Sequence, residues 1–137
     1  MRWTVEDMTT YEGAKEYIDT ALIPVYHLHP DELGVAKIKE QKWLEEICVY
    51  AERQLTGRMV LFPTLYLMDG QKGVPAFDSN QFQYIQFITT QTEMHESLMA
   101  LKFPVYLLER KEDEEDLTEM VREGKRLTQQ IMGLWKK

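Results

Sequence analysis

The sequence predicts one α/β domain over residues 1–137, built on a small four-stranded sheet with helices on both faces. The sheet should be mostly parallel, and mixed only if its third strand runs backwards. Three observations carry this prediction. Short apolar, β-branched segments alternate along the chain with segments of helical period. Of the 137 residues, 44% are apolar, enough for one core. Residues 59–68 (MVLFPTLYLM) form a nearly continuous apolar run, the pattern of a central strand covered on both faces.

Taken in order, Thr9, Thr10, Tyr11 and Glu12 spell a capping box, so a first helix is expected near Thr10. Tyr11, Ala14 and Ile18 share its inner face, and Thr20 ends it. Thr4 with Asp7 offers a separate upstream turn, and Trp3 reads as a lid on the core. Residues 21–27 (ALIPVYH) are the first strand, stopped by His29, Pro30, Asp31, Glu32, Leu33 and Gly34. From Ala36 the period changes. Leu44, Ile47, Cys48, Ala51 and Leu55 recur at helical spacing, and Gly57 supplies the residue after the helix. Cys48 lies in that stripe, where a thiol behaves as a small hydrophobe and not as a nucleophile.

Residues 59–68 are the second strand, with Pro63 implying a bulge or a strand end, because proline cannot donate to the ladder. Residues 69–80 (DGQKGVPAFDSN) are the longest loop, and residues 81–89 (QFQYIQFIT) the third strand, with a shift of phase near Ile85. No helix separates the second strand from the third, so the direction of the third stays open. Thr90 to Glu93 repeat the capping box and open a helix with Met94, Ser97, Leu98 and Leu101 on one face. Residues 103–109 (FPVYLLE) are the fourth strand. Leu117, Met120, Val121, Gly124, Leu127, Thr128, Ile131 and Trp135 then trace a final helix, whose start is matched to its dipole by the acids of residues 109–116. That acidic run lacks the glycine and terminal glutamate of a calcium loop. The recurrence of IPVY, FPTLYL and FPVYLL is strand-entry chemistry rather than duplication.

Charge narrows the function classes. Sixteen Lys and Arg stand against 23 Asp and Glu, a net charge of −7 and a pI near 5.0, which argues against nucleic acid as partner. One cysteine excludes a disulfide framework and a thiolate metal cluster. The longest uncharged apolar run is half the roughly 20 residues of a membrane helix, so no membrane insertion is expected. Acid at Glu6 and Asp7 breaks the order of a signal peptide, which points to a cytoplasmic protein.

No nucleophile elbow, Walker loop or dinucleotide fingerprint is present, and no cofactor or metal is called for. His27, His29 and Asp31 alternate at the end of the first strand, where parallel sheets collect ligands. The same rule nominates Asp69 after the second strand, Thr89 and Thr90 after the third, and Glu109 with Arg110 after the fourth; His95 lies one turn into the following helix. Gly70 to Gly73 read as a plain turn. Trp43 and Trp135 fit core packing, with a recognition rim as the alternative for the chain's three Trp and seven Tyr.

MRWT at the start, AKEYIDTALIP over residues 14–24 and RMVLFPTLYLM over residues 58–68 resemble the YpiF-like family of small uncharacterised proteins from spore-forming Gram-positive bacteria. The likeness covers the whole chain. It brings no assigned activity or catalytic residue. It implies a cytoplasmic location and, through gene neighbourhood, a role in the assembly or regulation of a quinol to cytochrome c oxidoreductase. The preferred reading is therefore a non-enzymatic interaction or regulatory module with a protein partner still to be identified, its oligomeric state open. The alternative is a small-molecule or metal-binding pocket, with enzyme activity open to it, built from His27, His29, Asp31 and Glu109.

Overall fold

A computed structural model gives the architecture and describes residues 1–68, 80–109 and 117–136. The chain runs α1 (Val5–Ala14), β1 (Thr20–Leu28), α2 (Val35–Leu55), β2 (Met59–Leu61), β3 (Leu65–Met68), β4 (Tyr84–Thr89), α3 (Thr92–Met99), β5 (Val105–Leu107) and α4 (Leu117–Trp135). Single 3-10 turns lie at Lys15–Tyr17 and Pro30–Glu32. β1 pairs with β2 and β3 along one edge and with β4 along the other, and β5 adds to β4. Every registered pair is parallel, which settles the direction of the third predicted strand.

The centre of the sheet is β1, not the 59–68 run. Residues 20–26 of β1 are all buried, whereas Tyr66 and Met68 of β3 are exposed on the sheet edge. Prolines in both segments interrupt their pairing. The Leu22 carbonyl accepts from Phe62 N–H, and strand alternation turns Pro24 toward the same edge, where it has no N–H to offer. Register steps from Leu22↔Leu61 to Val25↔Leu65, so the edge strand carries one extra residue around Pro63. The bulge accommodates this break, which involves Pro24 of the central strand as well as Pro63 of the edge.

Alternation along β1 divides the core. Leu22 and Tyr26 face α2 and α4, packing with Leu44, Ile47, Leu127 and Ile131. Ala21, Ile23 and Val25 face the opposite side with Leu98 of α3 and Phe87 of β4. Near the edge of the sheet, α1 covers a third cluster of Met1, Ile18 and Val60. Where α4 crosses α2, Gly124 lies so close to Tyr50 that an added Cβ would stand 2.6 Å from its Cγ.

Both predicted capping boxes give way to other partners. Thr4, not Thr9, caps the first helix, its Oγ1 accepting from Asp7 N–H at 3.1 Å, while the Asp7 carboxylate accepts from Arg2 N–H at 2.7 Å. Thr9 instead donates back to the Val5 carbonyl, and Ile18 lies beyond the helix in extended backbone. At α3 the Thr90 hydroxyl donates to Glu40 at 2.8 Å and Gln91 takes the cap position. Leu117 and Leu101, expected on inner faces, are exposed.

Charges close the N-terminal end of the sheet. Arg58 donates to both carboxylate oxygens of Asp19, at 2.9 and 3.0 Å, and its guanidinium lies 4.0 Å from the Trp135 ring centroid. Trp135 Nε1 donates to Thr20 Oγ1, which donates to Asp19. Burial pushes the Asp19 carboxyl up, but the Arg58 and Thr20 hydrogen bonds outweigh it and hold it below its usual range. Beside this clasp, the Met1 ammonium lies 2.9 Å from the buried Glu52 carboxylate and donates to the Met59 carbonyl.

Candidate functional site

Among the described residues three concavities stand out, and two of them bear on function; the third, about 280 Å³ lined by Arg2, Trp3, Glu45 and Pro63 among others, lies beside the broken edge of the sheet. The first opens at the C-terminal ends of β1 and β4, where strand order turns back on either side of β1 and doubly wound sheets gather ligands. It encloses about 360 Å³ and is lined by His27, His29, Glu32, Lys37 and residues 91–94 at the start of α3. The His27 and His29 rings lie 4.1 Å apart by centroid. Gln91 builds the floor. Its Oε1 accepts from His27 N–H at 2.7 Å and its Nε2 donates to the His27 carbonyl at 2.9 Å, so a side-chain amide continues the parallel ladder beyond β4.

Of the described residues nominated from sequence, only His27 and His29 line this cavity. Asp31 sits exposed in a 3-10 turn, and its neighbour Glu32 faces the cavity instead, because the turn at Pro30 rotates the chain after His29. Thr89 is buried and accepts from Gln91 N–H, Thr90 is held by Glu40, and neither His95 nor the exposed Glu109 lines the space. Asp69, Arg110, the Gly70–Gly73 turn and the acids of 110–116 lie outside the described residues. Among the described residues no group of three or more His, Cys, Asp or Glu is placed to hold a metal ion. Cys48 is fully buried, and burial with Glu45 nearby pushes its thiol far up, so it is no nucleophile. Sequence reasoning missed Glu32, Lys37 and Gln91; Glu32 and Gln91 adjoin the nominated Asp31 and Thr90, while Lys37 carried no local signal.

The second concavity is apolar. Trp3, Met8, Tyr11, Val60, Phe62, Pro63 and Phe82 enclose about 510 Å³ between α1 and the broken edge of the sheet. Phe62 and Phe82 meet edge to face at 5.5 Å. Trp3 is 70% exposed, which corrects its reading as a core lid. The correction has a local cause: Met1 is pinned in the sheet and Thr4 caps α1, so the residue between them is carried outward. The other two tryptophans go the opposite way. Trp43 is 4% exposed and Trp135 leans on Arg58, so both serve the fold.

Fold and sites together define a doubly wound parallel α/β domain with a polar cavity at its switch point and an apolar groove at one edge. The chain belongs to a family described as protein of unknown function (DUF2487), whose model matches residues 9–132. The MRWT segment thus lies outside the matched region. The chain is also similar to the uncharacterized protein YpiF of Bacillus subtilis (strain 168), 33% identical over 69 residues. That match covers 50% of this chain and 47% of the relative, so the chain spans about half the length of the curated relative it matches. No solved structure matches the chain.

Proposed function

We propose that this protein is a cytoplasmic interaction module that docks a protein partner in the apolar groove. The observation that carries this reading is Trp3, whose indole stays 70% exposed at the rim of an apolar concavity while the backbone on both sides is fixed. A large aromatic held out in this way contributes little to the core and fits an interface anchor, since interface energy concentrates in buried aromatic side chains. None of the described helices is long and apolar enough to cross a membrane. The lone cysteine, unable to form an internal disulfide, is in keeping with a reducing compartment. The test is capture from native lysate with wild-type and Trp3→Ala baits of equal thermal stability. A partner held by the first and lost by the second supports docking; identical eluates remove it.

The polar cavity supports a second reading, a small polar ligand held at the switch point by His27, His29 and Lys37. Thermal-shift screening with phosphorylated and carboxylated metabolites tests it. A stabilisation of roughly 2.7 kcal/mol is expected at 100 times the dissociation constant. It should vanish in a His27→Ala, His29→Ala variant.

A further inference from the structure

The cavity at the switch point is lined by both signs of charge, sorted by exposure. His27, His29 and Lys37 are half-buried, whereas Glu32 and Glu93 are exposed. Its sheltered lining is therefore basic or neutral and its exposed lining acidic. Among the described residues no ion pair joins Lys37 to either acid, so neither sign is cancelled within the chain. At the other end of the strands the opposite holds, since Arg58 and Asp19 satisfy each other at 2.9 Å. Unmatched charges of both signs around one space suit a guest that brings both charges itself.

Size and placement narrow the guest. A volume of about 360 Å³ lies near the lower end of the roughly 300 to 1,000 Å³ of small-molecule sites, which suits a small metabolite. Two lining carboxylates oppose a polyphosphate. Among the described residues no three His, Cys, Asp or Glu are placed to hold a metal ion. Gln91 binds both the N–H and the carbonyl of His27, so the backbone that carries this ring is fixed before a ligand arrives. Resting on the small-polar-ligand reading above, we propose that the cavity binds a small aminocarboxylate of the free amino-acid class. Lys37, with His27 and His29, takes its carboxylate, and Glu32 and Glu93 take its ammonium. A plain acid meets the repulsion of the two carboxylates, and a plain amine leaves Lys37 without a counter-charge.

Calorimetric titration of the full chain with the standard L-amino acids and 4-aminobutyrate, at millimolar concentration and low salt, tests this. At least one should bind, and its amide and its deaminated acid should each bind about tenfold more weakly. Lys37→Met should weaken the aminocarboxylate and the deaminated acid alike, about tenfold. Glu32→Gln with Glu93→Gln should weaken only the aminocarboxylate, leaving the deaminated acid bound as well or better, a split that a structural lesion would not produce. All three side chains lie outside the hydrophobic clusters, so the circular dichroism spectrum should not change. If the deaminated acid or inorganic phosphate binds as tightly as the aminocarboxylate, the ammonium subsite is wrong and the proposal falls, while the polar-ligand reading stands. If the best binder ignores both Lys37→Met and the His27→Ala, His29→Ala variant, it sits elsewhere and the proposal falls. Binding of no aminocarboxylate overturns the ligand class and leaves the polar-ligand reading to the metabolite screen above.

Discussion

At the N-terminal ends of the strands Asp19, Arg58, Thr20 and Trp135 satisfy one another, and Glu52 holds the Met1 ammonium; at the C-terminal ends His27, His29 and Lys37 border an open cavity. The same residue classes thus serve opposite ends. Where charges are matched within the chain they tie α4, α2 and the N-terminus to the sheet. Those at the C-terminal ends line a cavity instead. Function and stability should therefore separate along the strand axis, and substitutions can break or sharpen that separation.

Glu52→Gln should have the largest effect. It leaves a buried ammonium without its counter-charge, a loss of about 3 kcal/mol, seen as a fall in Tm on the order of 10 °C. Gln91→Leu follows, at about 1 to 2 kcal/mol in denaturant unfolding, because the His27 N–H and carbonyl each lose a partner. That loss would show the polar end to be structural at its floor though open at its walls. Arg58→Met should cost about 1 kcal/mol, since the pair with Asp19 is partly solvated and the indole contact is retained only as packing.

Asp19 sharpens the contrast through pH. Its carboxyl titrates below the unfolded value, so its contribution is complete above the unfolded pKa, near 3.9, and is lost as pH falls through the lower folded value. Asp19→Asn should flatten the acid side of a Tm profile between about pH 5 and 2. The smallest effect is expected from His27→Ala with His29→Ala, within about 0.5 kcal/mol of wild type, as both rings line the cavity and neither belongs to the hydrophobic core. A large loss there would mean that the histidines hold the fold and the two ends do not differ.

Much of the architecture was legible from pattern. The Leu44, Ile47, Cys48 and Ala51 stripe is buried as its spacing requires, and the β-branched segments became strands. Caps were less legible because several side chains compete for each one. Thr9, Thr4 and Thr90 all look like caps locally, but Glu40, distant in sequence, claims the Thr90 hydroxyl. The candidate site was half visible. His27 and His29 followed from the strand-end rule, while Asp31 and Glu109 did not converge, since a proline turn and an exposed strand end redirect them.

Periodicity and charge balance were sufficient for an acidic α/β domain with a mostly parallel or mixed sheet, because burial of alternating or helical faces is dictated within a few residues, and the direction of the third predicted strand came from the structure. The order of strands, the exchange of centre and edge between residues 20–28 and 59–68, and the outward turn of Trp3 are different in kind. Each depends on partners tens of residues away, such as Pro24 opposite Pro63 and Met1 against Met59 and Leu61, and local pattern cannot rank contacts that arise only when the sheet closes.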